Sequence, residues 1–177
     1  MNVHPIFVHF PVALLTLYTL MEFVGLKRLT QHPAWFYVKA FLLIVGTASS
    51  FVARETGEMI EDQFRGGPQT KLLEMHALWA DITVIFFSVL SILYLAAFIR
   101  RDLMQTSIIG RVVALPVISS LFNLVARIYD LFANSALMMI FALLGLVTIT
   151  IVGGLGGALT YGPNVDPVVK FIYDLFF

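Results

Sequence analysis

The sequence contains no cysteine and few charged residues. Without cysteine among its 177 residues, disulfides, thiolate metal ligands, cysteine nucleophiles and haem attached covalently through a C-x-x-C-H motif are all excluded. Charged residues make up only 12% of the chain, against about a quarter in a typical soluble domain. The formal net charge is zero, so no basic excess indicates nucleic acid as a partner.

Apolar residues dominate the chain instead. They account for 59% of it, and the mean hydropathy is +0.91. A soluble domain of this composition would expose more hydrophobic surface than monomers tolerate. We therefore predict an all-α integral membrane protein in the lipid bilayer, with one domain over residues 1–177. No basic region precedes the first apolar stretch and no small-residue cleavage site follows it, so no signal peptide is expected.

Four apolar stretches are long enough to cross the bilayer as helices, at about residues 6–26, 34–53, 77–99 and 136–159. A fifth stretch, about 107–134, has polar residues three or four apart from Ser119 to Asn134, which places them on one helical face. This pattern favours an amphipathic helix that is interfacial or packed on the bundle, with a fifth span as the alternative, and Pro116 should kink either one. The tail, 163–177, is also expected to lie in the interface.

Basic residues in the short loops predict the orientation of the spans. On one side of the membrane, six basic residues follow the first or third span or lie at the start of the second. On the other side, three basic residues lie in the loop between the second and third spans. This difference predicts that the N-terminus and the loop 54–75 lie on the outer, periplasmic side of a bacterial inner membrane. The six are Lys27, Arg28, Lys39, Arg100, Arg101 and Arg111, and the three are Arg54, Arg65 and Lys71.

Three of the four histidines then reach the outer face. His4 and His9 open the first span, His76 begins the third, and His32 lies on the opposite side. Positions 4 and 9 differ by about 140° of helix phase, so one ligand is not expected to take both. We predict that His9 and His76 bind one b-type haem for electron transfer, with His4 as a rim or alternative ligand.

The same side chains suit a non-haem ion used for transport, sensing or catalysis. Imidazole and carboxylate ligands can hold zinc, iron or copper. Asp81, an acid within the third span, is expected to orient a ligand histidine or to carry protons. A structural subunit of a larger membrane complex is a third alternative, and a homo-oligomer stays open. The absence of a Ser/His nucleophile signature favours electron transfer or binding over a stand-alone enzyme. The alternative metal ligands are His4, His9 and His76, with Glu55 or Glu58.

Four motifs support a family resemblance. They are "HPIFVHFPVALL" at 4–15, "TGE" at 56–58, "EMHALWAD" at 74–81 and "GGLGGALTYGPNVDP" at 153–167. With these motifs the chain resembles domain-of-unknown-function family 2231, a group of small bacterial membrane proteins. The resemblance implies a four-span bundle and no established activity. Some relatives look joined to Rieske or cytochrome modules, which favours redox work with a periplasmic partner or a quinone.

Overall fold

A computed structural model describes residues 3–62, 65–104, 107–133 and 136–177, and these ranges contain helices and no strand. The predicted all-α membrane bundle is confirmed. Asn134, the last residue of the predicted polar stripe, lies outside the described ranges. The helices are α1 (His4–Glu22), α2 (Lys27–Thr30), α3 (Ala34–Glu61), α4 (Thr70–Phe98, continued by a π-helical turn, Ile99–Leu103), α5 (Ser107–Val113), α6 (Pro116–Ala133), α7 (Leu137–Tyr161) and α8 (Pro167–Asp174).

Four of these helices form a closed ring in which α1 contacts α3, α3 contacts α4, α4 contacts α7 and α7 contacts α1. Neighbours in the ring are antiparallel. His4 and His76, at the starts of α1 and α4, lie against Gly57 and Gly156 near the ends of α3 and α7. Contacts between Arg54 and Asp81 and between Tyr18 and Met138 show the same for α3–α4 and α1–α7. We call the end of the bundle that carries His4, Arg54 and His76 the histidine end. The opposite end, with Tyr18, Glu22 and Tyr94, is the tyrosine end.

Glycines let the helices approach closely near the histidine end, as small residues do in membranes. A Cβ added to Gly154 would lie 2.7 Å from Ile172 of α8, and one added to Gly157 would lie 2.9 Å from Val169. Asp166 caps α8 by accepting hydrogen bonds from the backbone N–H groups of residues 168 and 169, at 2.8 and 2.9 Å. The glycine-rich stretch therefore seats α8 on the bundle.

Five helices in the described ranges are long and apolar enough to cross a membrane, namely α1, α3, α4, α6 and α7. The contacts of α6 bear on whether it crosses. Its C-terminal half lies at the tyrosine end, where Asp130 accepts two hydrogen bonds from Arg100, at 2.5 and 2.8 Å. The chain leaves α4 at this end and begins α7 there as well, since Tyr18 donates to the sulfur of Met138 at 3.6 Å.

A crossing by α6 would therefore need a second crossing within residues 104–115. Seven of those residues form α5, which rises only about 10 Å, against a hydrocarbon core of about 30 Å. The amphipathic segment is also divided at Pro116, where α6 begins. The topology of four spans plus an interfacial helix stays a prediction, and this geometry supports it.

Because the chain lacks cysteine, single introduced thiols can test the position of α6. We expect Asn123→Cys and Arg127→Cys to react with a membrane-impermeant maleimide, since both positions are exposed and belong to the polar face of the helix. Leu124→Cys, one position away on the exposed apolar face, should react much more slowly. Equal protection of all three thiols would instead indicate a fifth span.

Candidate functional site

His4 is held at the histidine end by α3. It is the first residue of α1, where Pro5 suits the first turn. Its Nδ1 lies 3.1 Å from the hydroxyl oxygen of Thr56. The single hydroxyl hydrogen of Thr56 is directed to backbone carbonyls of its own helix, including that of Ala53 at 2.9 Å. With the hydroxyl hydrogen on one of those carbonyls, the Thr56 oxygen accepts from Nδ1 of His4, and Nε2 is the unprotonated nitrogen of that tautomer.

His76 has the same arrangement on the other side of the bundle. Its Nδ1 lies 3.2 Å from the backbone carbonyl oxygen of Val152 on α7. A carbonyl only accepts, so Nδ1 carries the hydrogen and Nε2 again carries the lone pair. His4 and His76 lie at the same end of the bundle, His4 against α3 and His76 against α7. The structure thus places two imidazoles from two different helices at the histidine end.

The two histidines occupy equivalent positions in a repeated pair of helices. A Cβ built on Gly57 would lie 3.1 Å from Cε1 of His4, and a Cβ on Gly156 would lie 3.1 Å from Cε1 of His76. Eleven residues after His4, Leu15 packs on Gly46, which precedes Gly57 by eleven residues. In the same way, eleven residues after His76, Phe87 packs on Gly145, which precedes Gly156 by eleven residues. The pair α1–α3 therefore repeats in α4–α7, with each pair contributing one imidazole.

His9 and His32 are not part of this arrangement. His9 is exposed, and its Nδ1 is hydrogen-bonded to the carbonyl of Pro5 in its own helix. His32 is exposed beyond the tyrosine end, where its Nδ1 accepts from the backbone N–H of Ala34 at 3.2 Å. The assignment of His9 as a ligand stays a prediction, but the geometry favours His4 as the partner of His76.

The acids named from the sequence gather around one arginine. The Nε of Arg54 donates to Asp81 at 2.5 Å and so joins α3 to α4. Its two terminal nitrogens lie 2.8 Å from Glu58 and 3.4 Å from Glu55. A guanidinium fork satisfies several carboxylate oxygens at once, which explains why these acids turn to Arg54. The structure thus shows Asp81 in contact with Arg54 and gives it no hydrogen bond to a ring nitrogen of His4 or His76.

Among the described residues, no three His, Asp or Glu side chains come together as a metal-binding group. Zinc, iron and copper sites normally use three or four protein ligands. The alternative set, with Glu55 or Glu58 as the carboxylate, therefore has less geometric support than a ligand that needs only two imidazoles.

A second polar cluster, at the tyrosine end, is built around Glu22. Its carboxylate accepts from Lys39 at 2.8 Å and from the hydroxyl of Tyr94 at 2.6 Å. The side chains of Glu22 and Lys39 are only 5% and 17% exposed. The ring of Tyr94 meets Tyr18 edge-on at 5.8 Å and stacks on Phe36. This ion pair ties α1 to α3.

Sequence reasoning missed the residues that hold the rings, which are Thr56, Gly57, Val152 and Gly156. One signal was available in the sequence. α3 and α7 each contain two glycines that are eleven residues apart. The helix that packs on each glycine pair has a histidine and, eleven positions later, an apolar residue. That register predicts both contacts.

These features define an all-helical membrane protein whose bundle brings one imidazole from each of two equivalent helix pairs to the same end. The chain belongs to the family described as "Predicted membrane protein (DUF2231)", which it matches over residues 1–167. The resemblance expected from its motifs is therefore confirmed. No curated protein and no solved structure matches the chain.

Introduced cysteines can also test which histidine of α1 faces His76. In the double variant His4→Cys/His76→Cys, we expect a short bifunctional thiol reagent to bridge the two side chains. In the matched variant His9→Cys/His76→Cys, the exposed position of residue 9 should allow only two separate additions. Intact-mass spectrometry distinguishes one bridging reagent from two single ones. Equal bridging in the two variants would contradict the observed rotation of α1.

Proposed function

We propose that this protein binds one b-type haem at the histidine end and serves in electron transfer at a bacterial inner membrane. The observation that carries the proposal is the pair His4 and His76. Each ring has Nδ1 within hydrogen-bond distance of a neighbouring helix, 3.1 Å from the Thr56 hydroxyl oxygen for His4 and 3.2 Å from the Val152 carbonyl oxygen for His76. Ligand histidines are typically oriented in this way, with the second nitrogen donating to a carbonyl or another fixed acceptor.

Haem suits this donor set better than a bare ion does. A haem iron in a helical bundle can take one imidazole on each side, and the two equivalent helix pairs supply one each. When bound, the haem would supply one-electron chemistry. Gly57 and Gly156 contribute space, because a side chain at either position would crowd the ring of His4 or His76. Thr56 and the carbonyl of Val152 contribute orientation, since they fix the tautomers.

The direction of electron flow depends on which side the histidine end faces. Basic residues are concentrated at the tyrosine end, so the positive-inside rule favours the histidine end as the outer, periplasmic side. In this orientation the haem would exchange electrons with a periplasmic protein or with a membrane quinone. The protein then acts as an electron-transfer component and requires no substrate chemistry of its own.

The test is an optical titration of the purified protein with haem in detergent. We expect saturation at one haem per chain and a spectrum typical of two axial imidazoles, both oxidised and reduced. A parallel titration with zinc, iron or copper distinguishes haem binding from binding of a non-haem ion, because a metal site would bind the ion stoichiometrically in the absence of haem. Failure to bind haem at stoichiometric concentration would contradict the proposal.

A further inference from the structure

The zero net charge of the chain conceals a strong separation of charge between the two ends. Seven of the eleven Lys and Arg residues lie at the tyrosine end, but only three of the eleven Asp and Glu residues do. That end therefore carries a formal charge of +4. The histidine end has the remaining four basic and eight acidic residues and carries −4.

The carboxylates of the tyrosine end are already engaged and leave part of this positive charge uncompensated. Glu22 binds Lys39, Asp130 binds Arg100, and Asp102 accepts from the hydroxyl of Tyr37 at 2.7 Å. In the part of the chain that the structure describes, no ion pair joins a carboxylate to the exposed side chains of three further cations. These cations are Lys27 and Arg28 of α2 and Arg127 of α6.

α6, which carries Arg127, presents two different surfaces. One is an apolar stripe whose residues are 37–84% exposed. The adjacent face is polar and carries Asn123 and Arg127, both exposed. A helix of this kind lies at the membrane surface, with its apolar stripe among acyl chains and its cations at the level of the headgroups. The stripe consists of Val117, Leu121, Leu124, Ile128 and Leu131.

We propose that the tyrosine end is a binding surface for anionic phospholipids, with headgroup phosphates taken by Lys27, Arg28 and Arg127. Clustered Lys and Arg residues beside membrane-embedded helices attract anionic lipid in this way. Charge complementarity favours lipid over a second copy of the chain, because two copies joined at this surface would bring two ends of charge +4 together. The proposal stands on the surface alone and is independent of haem.

The two tryptophans allow each end to be tested separately. Trp35 lies at the start of α3, at the tyrosine end, and Trp79 lies in α4, near His76 at the histidine end. Trp79→Phe and Trp35→Phe therefore give single-tryptophan reporters of the two ends. Each variant is reconstituted in bilayers of equal parts phosphatidylglycerol and phosphatidylcholine. Bromine quenches tryptophan fluorescence, and in each sample only one of the two lipids is brominated.

For Trp35 we expect brominated phosphatidylglycerol to quench at least about twofold more than brominated phosphatidylcholine. Lys27→Gln/Arg28→Gln/Arg127→Gln should abolish this difference, whereas the matched triple variant at the other end, Arg65→Gln/Lys71→Gln/Lys170→Gln, should retain it. Trp79 should show no preference. Equal quenching of Trp35 by both lipids, or a preference that survives the first triple variant, would overturn the proposal. A Trp35 that neither lipid reaches, together with cross-linked dimers, would assign the surface to a second copy and overturn it as well.

Discussion

Replacing His4 or His76 with alanine is expected to weaken haem binding by at least roughly 100-fold, which corresponds to about 2.8 kcal/mol. Either substitution removes one of the two imidazoles that the repeated helix pairs place at the histidine end. The remaining histidine would supply a single axial bond, so the bound fraction should also change from a low-spin to a high-spin spectrum. Haem titration of each variant measures both effects.

Two further substitutions act as controls for that result. His9→Ala and His32→Ala should bind haem as the parent does, because both side chains are exposed and contact only local backbone. Free imidazole added to His76→Ala should restore part of the low-spin spectrum, which would show that the variant is folded. Loss of binding in His9→Ala with retention in His4→Ala would contradict the assignment of His4 and would support the ligand pair expected from the sequence.

Replacing Glu22 or Lys39 alone is expected to destabilise the protein by about 3–5 kcal/mol. The two side chains form an ion pair at 2.8 Å and are almost entirely buried. Removing one partner leaves the other as an uncompensated charge away from water, and Glu22→Ala also leaves the hydroxyl of Tyr94 without its acceptor. Unfolding in a graded mixture of mild and denaturing detergent measures the free-energy change.

The double variant Glu22→Leu/Lys39→Met should recover most of this loss, because apolar side chains of similar size replace both charges together. Lys170→Met is the matched control. Lys170 pairs with Asp174 at the same 2.8 Å, but both side chains are about half exposed, so the expected change is below about 0.5 kcal/mol. A double variant as unstable as the two single ones combined would show that Glu22 and Lys39 do not act as a pair.

The membrane class and the convergence of histidines were accessible from the sequence, for clear physical reasons. Composition decides which solvent the chain needs, and the spacing of apolar stretches sets the number of long helices. Hairpin connectivity then brings the start of α1 and the start of α4 to the same end of the bundle. The presence of His4 and His76 at one end follows from this topology alone.

The rotation of α1 about its axis was not accessible in this way. Helix phase shows that His4 and His9 point in different directions, but it does not say which of them faces the bundle. The structure resolves this through packing, because Gly57 leaves room for the ring of His4 and the Thr56 hydroxyl oxygen lies 3.1 Å from its Nδ1. The role of Asp81 was hidden for a similar reason, since its partner Arg54 lies on another helix, 27 positions away.

The most direct test of the central claim is the electron paramagnetic resonance spectrum of the oxidised protein after it has been loaded with one equivalent of haem. If His4 and His76 share the haem, the spectrum should contain a low-spin signal of the kind given by two axial imidazoles, and His9→Ala should leave it unchanged. A predominantly high-spin signal, or a low-spin signal that persists in His4→Ala/His76→Ala, would contradict the claim.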